Sequence, residues 1–536
     1  MENRGKRTEP YHRACRPGSQ NMDRHRRREF LANVGRGMLV ATVGPALAQD
    51  LGLASSALAD GVDGHLRFGP MEPLVTLMQE TPADRLLPIV VERMKGGIDL
   101  RDFVAAAALA NARAFGGQDY DGYHALMALA PSYQMAQELP ESQRALPVLK
   151  VLYRNTNHIQ KSGGCAHETL HPVDPTPLSG DGPRAEDLRD AMRRQDMDGA
   201  ERTFAAMAGG SLDKAYNDLL YLVQDNINVH RVVLAWRAWA LLDLTGKEHA
   251  HTLLRQSVRY CVDEEKNVRT YHAKDELRAL LPRLLDEYRL VGHPVGERQP
   301  DDAWIEQLSN TIYAGDRSKA ADAVAAALAD GIATEAVGEA ISLAANQLVL
   351  HDPGRAKMDT PAKPKGSVHG ASVGVHAQDA ANAWRNISRV SNRRNTLASL
   401  IVAAYHTAGQ AGGLNPQPYP LAEHREKIRD VVPDALLAEA EVAIKAGDQA
   451  RACALVHRHG ELGRPARPAF DLLLRYAISE DGALHAEKYY RTVSEEFAAT
   501  RPAFRWRHLA ALARVTASEY GHPAPGVADA RGLLGV

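Results

Sequence analysis

The chain is predicted to be all-α, a multi-layer helical array of helix pairs without a substantial β-sheet. Three observations carry that expectation. Alanine abounds while β-branched runs are scarce, which favours helix over sheet. Apolar residues recur at helical spacing through most of the body, and the breaks between them are short Gly-, Pro- or Asp-marked connections. No repeat of 33–45 residues recurs, so the array is not a tetratricopeptide, ankyrin or HEAT solenoid.

At 536 residues the chain exceeds one small core. Residues 1–59 read as a targeting leader, since Arg27-Arg28-Glu29-Phe30-Leu31 is a twin-arginine spelling and an apolar run from Met38 to Ala48 follows it. Three helical regions are expected beyond the leader: 60–291, 303–430 and 431–536. The Gly- and Pro-rich stretch from Gly292 to Asp302 marks the first boundary. The leader holds ten Lys/Arg and five Asp/Glu. The whole chain has 64 and 66, so the remainder has 54 against 61, a net charge of −7. A mildly acidic body offers no footprint for nucleic acid. After residue 60 no apolar run is long enough for a membrane span, so no stable span is expected after processing. These features point to a protein exported by the twin-arginine machinery to the periplasm or cell surface. Cys165, Cys261 and Cys453 allow one disulfide at most.

In order, helices are expected over Pro73–Gln79, Ala83–Lys95 and Asp99–Ala114, the last opening on an Asp N-cap. Gly116-Gly117 breaks the chain before Gly122–Glu138, and Leu146–Ile159 follows. Ala185–Met207 and Leu212–Gln224 read as amphipathic helices leading to the segment Asn228–Leu244, which is apolar on nearly every face and therefore a buried helix. Glu248–Val262 and Tyr271–Tyr288 complete the first region, and helices run from Asp302 to Leu350. Asp352–Gly366 is a Pro/Lys loop leading into the His376 segment, placed to gate whatever that segment carries. Leu436–Ala446, Gln449–His459, Ala469–Ile478, Ala483–Ala498 and Trp506–Tyr520 close the chain.

The buried segment carries His230 and, two turns on, Arg237. Burying such groups without partners costs several kcal/mol, about 2–7 for a neutral polar group and more for a charge, so both must meet something polar. Two other segments carry a histidine near their start, His124 and His376, and Asp379 lies one turn beyond His376. Convergence of His124, His230 and His376 would make a three-imidazole site for Fe, Cu, Mn or Zn with positions left open for water, oxygen or substrate. Asp379 would be a further ligand or base, and Arg237 would hold an anionic substrate or orient a ligand.

Two other spellings are weaker in context. His167-Glu168-Thr169-Leu170-His171 matches the zinc-peptidase pattern H-E-x-x-H, but glycines before it and Pro172 after it oppose the helix that pattern needs. Gly370-Ala-Ser372-Val-Gly374 spells a hydrolase elbow without the preceding buried strand, and reads as a glycine-rich lead into the His376 segment. No dinucleotide fingerprint, P-loop or C-x-x-C-H haem attachment occurs, so neither a nucleotide nor covalent haem is expected.

Arg27–Leu31, His249–Tyr260 and Phe504–His508 resemble segments of exported twin-arginine helical bacterial proteins, a group of unassigned function. Tyr123-His124 with its apolar run, and Val229-His230 followed by Leu253-Leu254-Arg255, are similar to the questin-oxidase-like family over about half of the body. That similarity implies a helical oxidase with histidines in comparable segments. The export signal and the helical tail depart from it. The leading expectation is an exported metal-dependent oxidoreductase or oxygenase acting on a small molecule. A non-catalytic helical binding or scaffold protein with structural histidines is the alternative, and a zinc metallopeptidase the third.

Overall fold

The computed structural model describes residues 64–536 except 177–183, 267–270, 293, 362 and 371. The leader therefore lies outside the described residues. Among the described residues the chain is 71% helical, with 23 α-helices and no strand. The first five helices are α1 (Glu72–Glu80), α2 (Ala83–Lys95), α3 (Leu100–Phe115), α4 (Tyr120–Ala136) and α5 (Leu146–Lys161). Next come α6 (Ala185–Arg193), α7 (Met197–Ala208), α8 (Leu212–Val223), α9 (Val229–Thr245), α10 (Ala250–Glu265) and α11 (Tyr271–Glu287). The middle holds α12 (Asp302–Tyr313), α13 (Arg317–Ala329), α14 (Thr334–Leu350), α15 (Val373–Val390), α16 (Arg393–Ala408) and the short α17 (Ala422–Lys427). The last six are α18 (Leu436–Lys445), α19 (Gln449–Glu461), α20 (Arg467–Ser479), α21 (His485–Ala499), α22 (Trp506–Glu519) and α23 (Val527–Leu534).

Local chemistry sets these ends. Asp99 accepts from the Arg101 amide at 2.7 Å and starts α3, and Gly116 ends it in left-handed backbone at φ 54°. Asn228 caps α9 through the amides of His230 and Arg231. The expected single helix Ala185–Met207 is two. Gln195 turns to φ 60°, and Asp196 then caps α7 by accepting from the Gly199 amide at 2.9 Å. Aspartate in a helix interior competes for backbone amides, and here it restarts the helix instead. Similarly, Asp301, Asp316 and the chain at Ala333 divide 302–350 into three helices.

The described residues form one compact unit, so the described parts of the three expected regions pack into one another. The packing that matters is a closed ring. α4 lies against α9, α9 against α15, α15 against α21, and α21 back against α4. α4 and α9 are apolar along most of their length, α4 burying Leu126, Met127 and Leu129 and α9 burying Val232, Leu234 and Leu241, whereas α15 and α21 are amphipathic and bury polar groups such as Asp379 and Lys488. Among the described residues no helix is long and apolar enough to cross a membrane.

Candidate functional site

Each ring helix presents a histidine from its first turns: His124 is fifth in α4, His230 second in α9, His376 fourth in α15 and His485 first in α21. The four imidazoles meet. Ring centroids are 4.7 Å apart for His124 and His230, 5.6 Å for His230 and His376, 5.2 Å for His376 and His485, and 4.9 Å for His485 and His124. The structure thus brings together the three histidines expected from the sequence and adds a fourth.

The ring nitrogens are arranged unequally. Nδ1 of His124 is 2.7 Å from the Tyr120 carbonyl, and Nδ1 of His485 is 3.0 Å from the Ala483 carbonyl. A carbonyl accepts only, so each Nδ1 carries the proton and each Nε2 keeps its lone pair. Nε2 of His124 and of His230 are buried without a hydrogen-bond partner. Nε2 of His376 and of His485 face each other at 3.1 Å. Buried polar atoms are nearly always satisfied, so two bare nitrogens beside two that have only each other need a physical explanation. Burial holds all four imidazoles well below the ordinary histidine range, His376 down to about 3, so they are neutral at physiological pH. The convergence of four helix N-termini adds positive potential that works in the same direction.

Among the described residues, no group of three or more His, Cys, Asp or Glu side chains stands ready to hold a metal ion. The spacing is nonetheless close to what a shared ion requires. Two imidazoles bound through Nε2 at about 2.1 Å, with about 90–110° between them, place their nitrogens about 3.0–3.4 Å and their centroids about 4.6–5.3 Å apart. Three of the four ring contacts fall within that interval, and His230–His376 lies just beyond it. The donor set also suits the ion: neutral imidazoles, two of them (His124 and His485) with the tautomer fixed by a backbone carbonyl, are ligands for Zn, Cu and Fe.

A polar layer lies behind the ring. Asp379, one turn after His376, is buried and accepts from the Thr492 hydroxyl at 2.8 Å. Burial raises its pKa, and the nearby Lys488 ammonium works against that rise. Lys488, one turn after His485, is itself buried, which lowers its pKa to about 8. Arg237 is buried with its nearest carboxylate, Glu495 Oε1, at 4.0 Å, and its Nε has no hydrogen-bond partner. Asp379 and Arg237 therefore sit within one electrostatic group with Lys488 rather than on the imidazoles themselves.

Tyrosines form the outer wall. Tyr120 is 54% exposed, which makes it the solvent-side lip of the cluster, and its ring lies 4.3 Å from His124 and 5.7 Å from His230. Tyr123 lies 5.1 Å from His230 and packs edge-on against Tyr260 at 5.3 Å. The Tyr260 hydroxyl donates to Asn228 Oδ1 at 3.1 Å, tying this wall to the cap of α9.

His485 and Lys488 escape the sequence reading. A signal was present: Tyr123-His124-Ala125, Val375-His376-Ala377 and Leu484-His485-Ala486 share the spelling of an apolar residue, histidine and alanine at a helix start.

The two other motifs have structural settings. His167 ends a short 3-10 turn (Gly164–His167) and Glu168 is extended, so the helix that H-E-x-x-H requires does not form. Glu168 Oε1 instead sits 3.0 Å from Arg113 Nε, and its Oε2 2.8 Å from His65 Nδ1. In the glycine-rich lead, Ser372 is the N-cap of α15, with the Val375 amide 3.5 Å from its hydroxyl. A Cβ at Gly374 would come within 2.9 Å of Leu348 backbone, and one at Gly370 within 2.5 Å of the His485 Cβ. These glycines are close-approach positions that let α15 pack on α14 and the lead pass over His485.

No protein-family profile matches the chain, and no curated protein and no solved structure matches it.

Proposed function

We propose that the chain is a metal-dependent oxidoreductase or oxygenase for a small molecule, with His124, His230, His376 and His485 as the ligands of one divalent transition metal, Fe, Cu, Mn or Zn. The observation that carries this reading is the meeting of four neutral imidazoles whose Nε2 atoms have no partner outside the group. Leaving such atoms bare in a core costs about 1–3 kcal/mol each, and an ion would satisfy all four at once. The ion, when bound, supplies Lewis acidity and open positions for dioxygen or substrate.

The chain's own residues do the rest. Tyr120 and Tyr123 wall the approach and keep bulk water off the imidazoles. Lys488 and Asp379, one turn behind two of the ligands, are buried groups that feel each other's charge and can hold and release a proton near the reacting atoms. Arg237 supplies a fixed positive charge beside them, suited to steadying an anionic group. The similarity to the questin-oxidase-like family supports oxidation as the reaction class. The twin-arginine leader supports export of the folded, ion-loaded chain to the periplasm or cell surface.

Metal analysis of protein purified without an affinity tag tests the reading. About one equivalent of Fe, Cu, Mn or Zn is expected, lost in His230→Ala and His485→Ala. For the iron-loaded chain, nitric oxide should give the high-spin signal of a complex with open positions. Less than about a tenth of an equivalent in the unmodified chain, with no uptake on reconstitution, overturns the reading and leaves a helical binding or scaffold protein with structural histidines.

A further inference from the structure

The fourth imidazole is held in an unusual way. Immediately before His485, two non-glycine residues take left-handed backbone, Ala483 at φ 49° and Leu484 at φ 66°. Such residues cost about 1 kcal/mol or more each and persist where the surroundings over-determine them. This turn supplies the Ala483 carbonyl that fixes the His485 tautomer.

One side chain braces the turn from below. Lys150, on α5, is 1% exposed. Its ammonium donates to the Ala477 carbonyl at 2.8 Å and the Glu480 carbonyl at 2.7 Å, and it meets Glu487 Oε1 at 2.7 Å. Ala477 lies in the last turn of α20, Glu480 opens the turn, and Glu487 lies two residues past His485. The three N–H donors of a lysine are thereby used on both flanks of the 480–484 turn. Glu487 is fully buried and its oxygens have no partner besides Lys150, so the Lys150 charge is what compensates it. From above, Glu519 accepts the Gly370 amide at 2.8 Å and holds the glycine lead against the His485 Cβ.

We infer that Lys150 is a positioning residue for His485: it clamps the 480–484 turn between α20 and α21 so that the imidazole aims Nε2 at His376. α5 carries no ligand of its own, so its part in the site is indirect. The metal arm of the test rests on the proposed function; the labelling arm does not.

The test compares the full chain with Lys150→Met and with the pair Lys150→Met/Glu487→Gln, which removes the orphaned carboxylate should the single variant fold poorly. In the absence of metal, carbethoxylation mapped by mass spectrometry should rise about tenfold or more at His485 in the variants, with His406 and His508, two equally buried histidines, unchanged. With cobalt as the probe ion, affinity should fall about 10–100-fold and the visible spectrum of the bound ion should change. Equal rises at all three histidines, or no rise at His485, overturn the inference. Unaltered cobalt affinity and spectrum in a chain that binds cobalt overturn it as well. If the unmodified chain binds no ion while His485 alone becomes reactive, the positioning role stands and the metal reading fails.

Discussion

Two histidine-rich regions of this chain differ in what their neighbours leave undone. Around Glu168 every strong polar group is answered. Arg113 reaches Glu72 at 2.7 Å, Gln79 at 2.8 Å and Glu168 at 3.0 Å, while His65 completes the other carboxylate oxygen. His167 and His171 are exposed. That is a structural ion-pair network which docks the 163–170 segment on the end of α3. In the four-histidine ring, by contrast, the imidazoles are packed together at a helix junction and their nitrogens are left facing one another. The first region has the better motif and the second the better chemistry. A ligand pattern has meaning only when the fold leaves its donors unsatisfied and aimed at a common point.

The largest effect that would break this contrast is on ion content. His230→Ala or His124→Ala should lower apparent metal affinity by more than about 100-fold, since even outer-layer changes at metal sites cost about 10–100-fold. His167→Ala and His171→Ala should leave it unchanged by the same titration. The reverse pattern would transfer the site to the H-E-x-x-H segment. Next in size is stability. Glu168→Ala removes one of two carboxylates from a buried guanidinium and should cost about 2–3 kcal/mol by denaturant unfolding, with ion content untouched. A loss of bound metal without loss of stability would reverse the roles given to the two regions.

Acidification sharpens the same comparison. The ring histidines have folded pKa values pushed below their unfolded value near 6.5, so the unfolded chain binds more protons than the folded one between those limits. Their contribution is therefore fully present above about pH 6.5 and is lost as pH falls from there towards about 3. Each should add a slope on the order of 1 kcal/mol per pH unit to the metal-free chain within that window. Replacing His376 by Gln should remove one such share, whereas an unchanged slope would mean that this imidazole does not gain a proton on unfolding. Urea unfolding at a series of pH values separates the two outcomes.

Much of the architecture was legible. Asp and Asn caps, glycine stops and 3.6-residue periodicity locate most helices to within a few residues, because those signals act within one or two turns. The failures have physical causes. By pattern Asp196 reads as an interior residue of one helix, because the left-handed turn at Gln195 has no spelling of its own. Periodicity marks the helices ending at Leu244 and Ala498 without revealing that both belong to one ring with α4 and α15. That ring involves residues more than 350 positions apart in the chain. For the same reason His124, His230 and His376 group by their similar settings, while His485 does not stand out. It lies behind two strained residues, where the helix was expected to begin two positions earlier. Lys150 carries no sequence signal at all, since its acceptors are two backbone carbonyls and a carboxylate more than 300 residues away.

The smallest expected effect concerns the third motif. Ser372, at the centre of Gly370-Ala-Ser372-Val-Gly374, has a hydrolase spelling and a capping position. Its long 3.5 Å contact with the Val375 amide is a weak cap, so Ser372→Ala should cost about 0.5–1 kcal/mol by thermal or denaturant unfolding. Ser372→Asp should restore that loss, because an aspartate oxygen reaches the same amides and its charge favours a helix N-terminus. A nucleophile would behave otherwise: alanine would abolish turnover at unchanged stability, and aspartate would not rescue it. The cap lies four residues before His376, so the two readings also differ at the ring. A frayed first turn of α15 loosens that imidazole, and Ser372→Ala should weaken metal binding by a small factor that Ser372→Asp recovers.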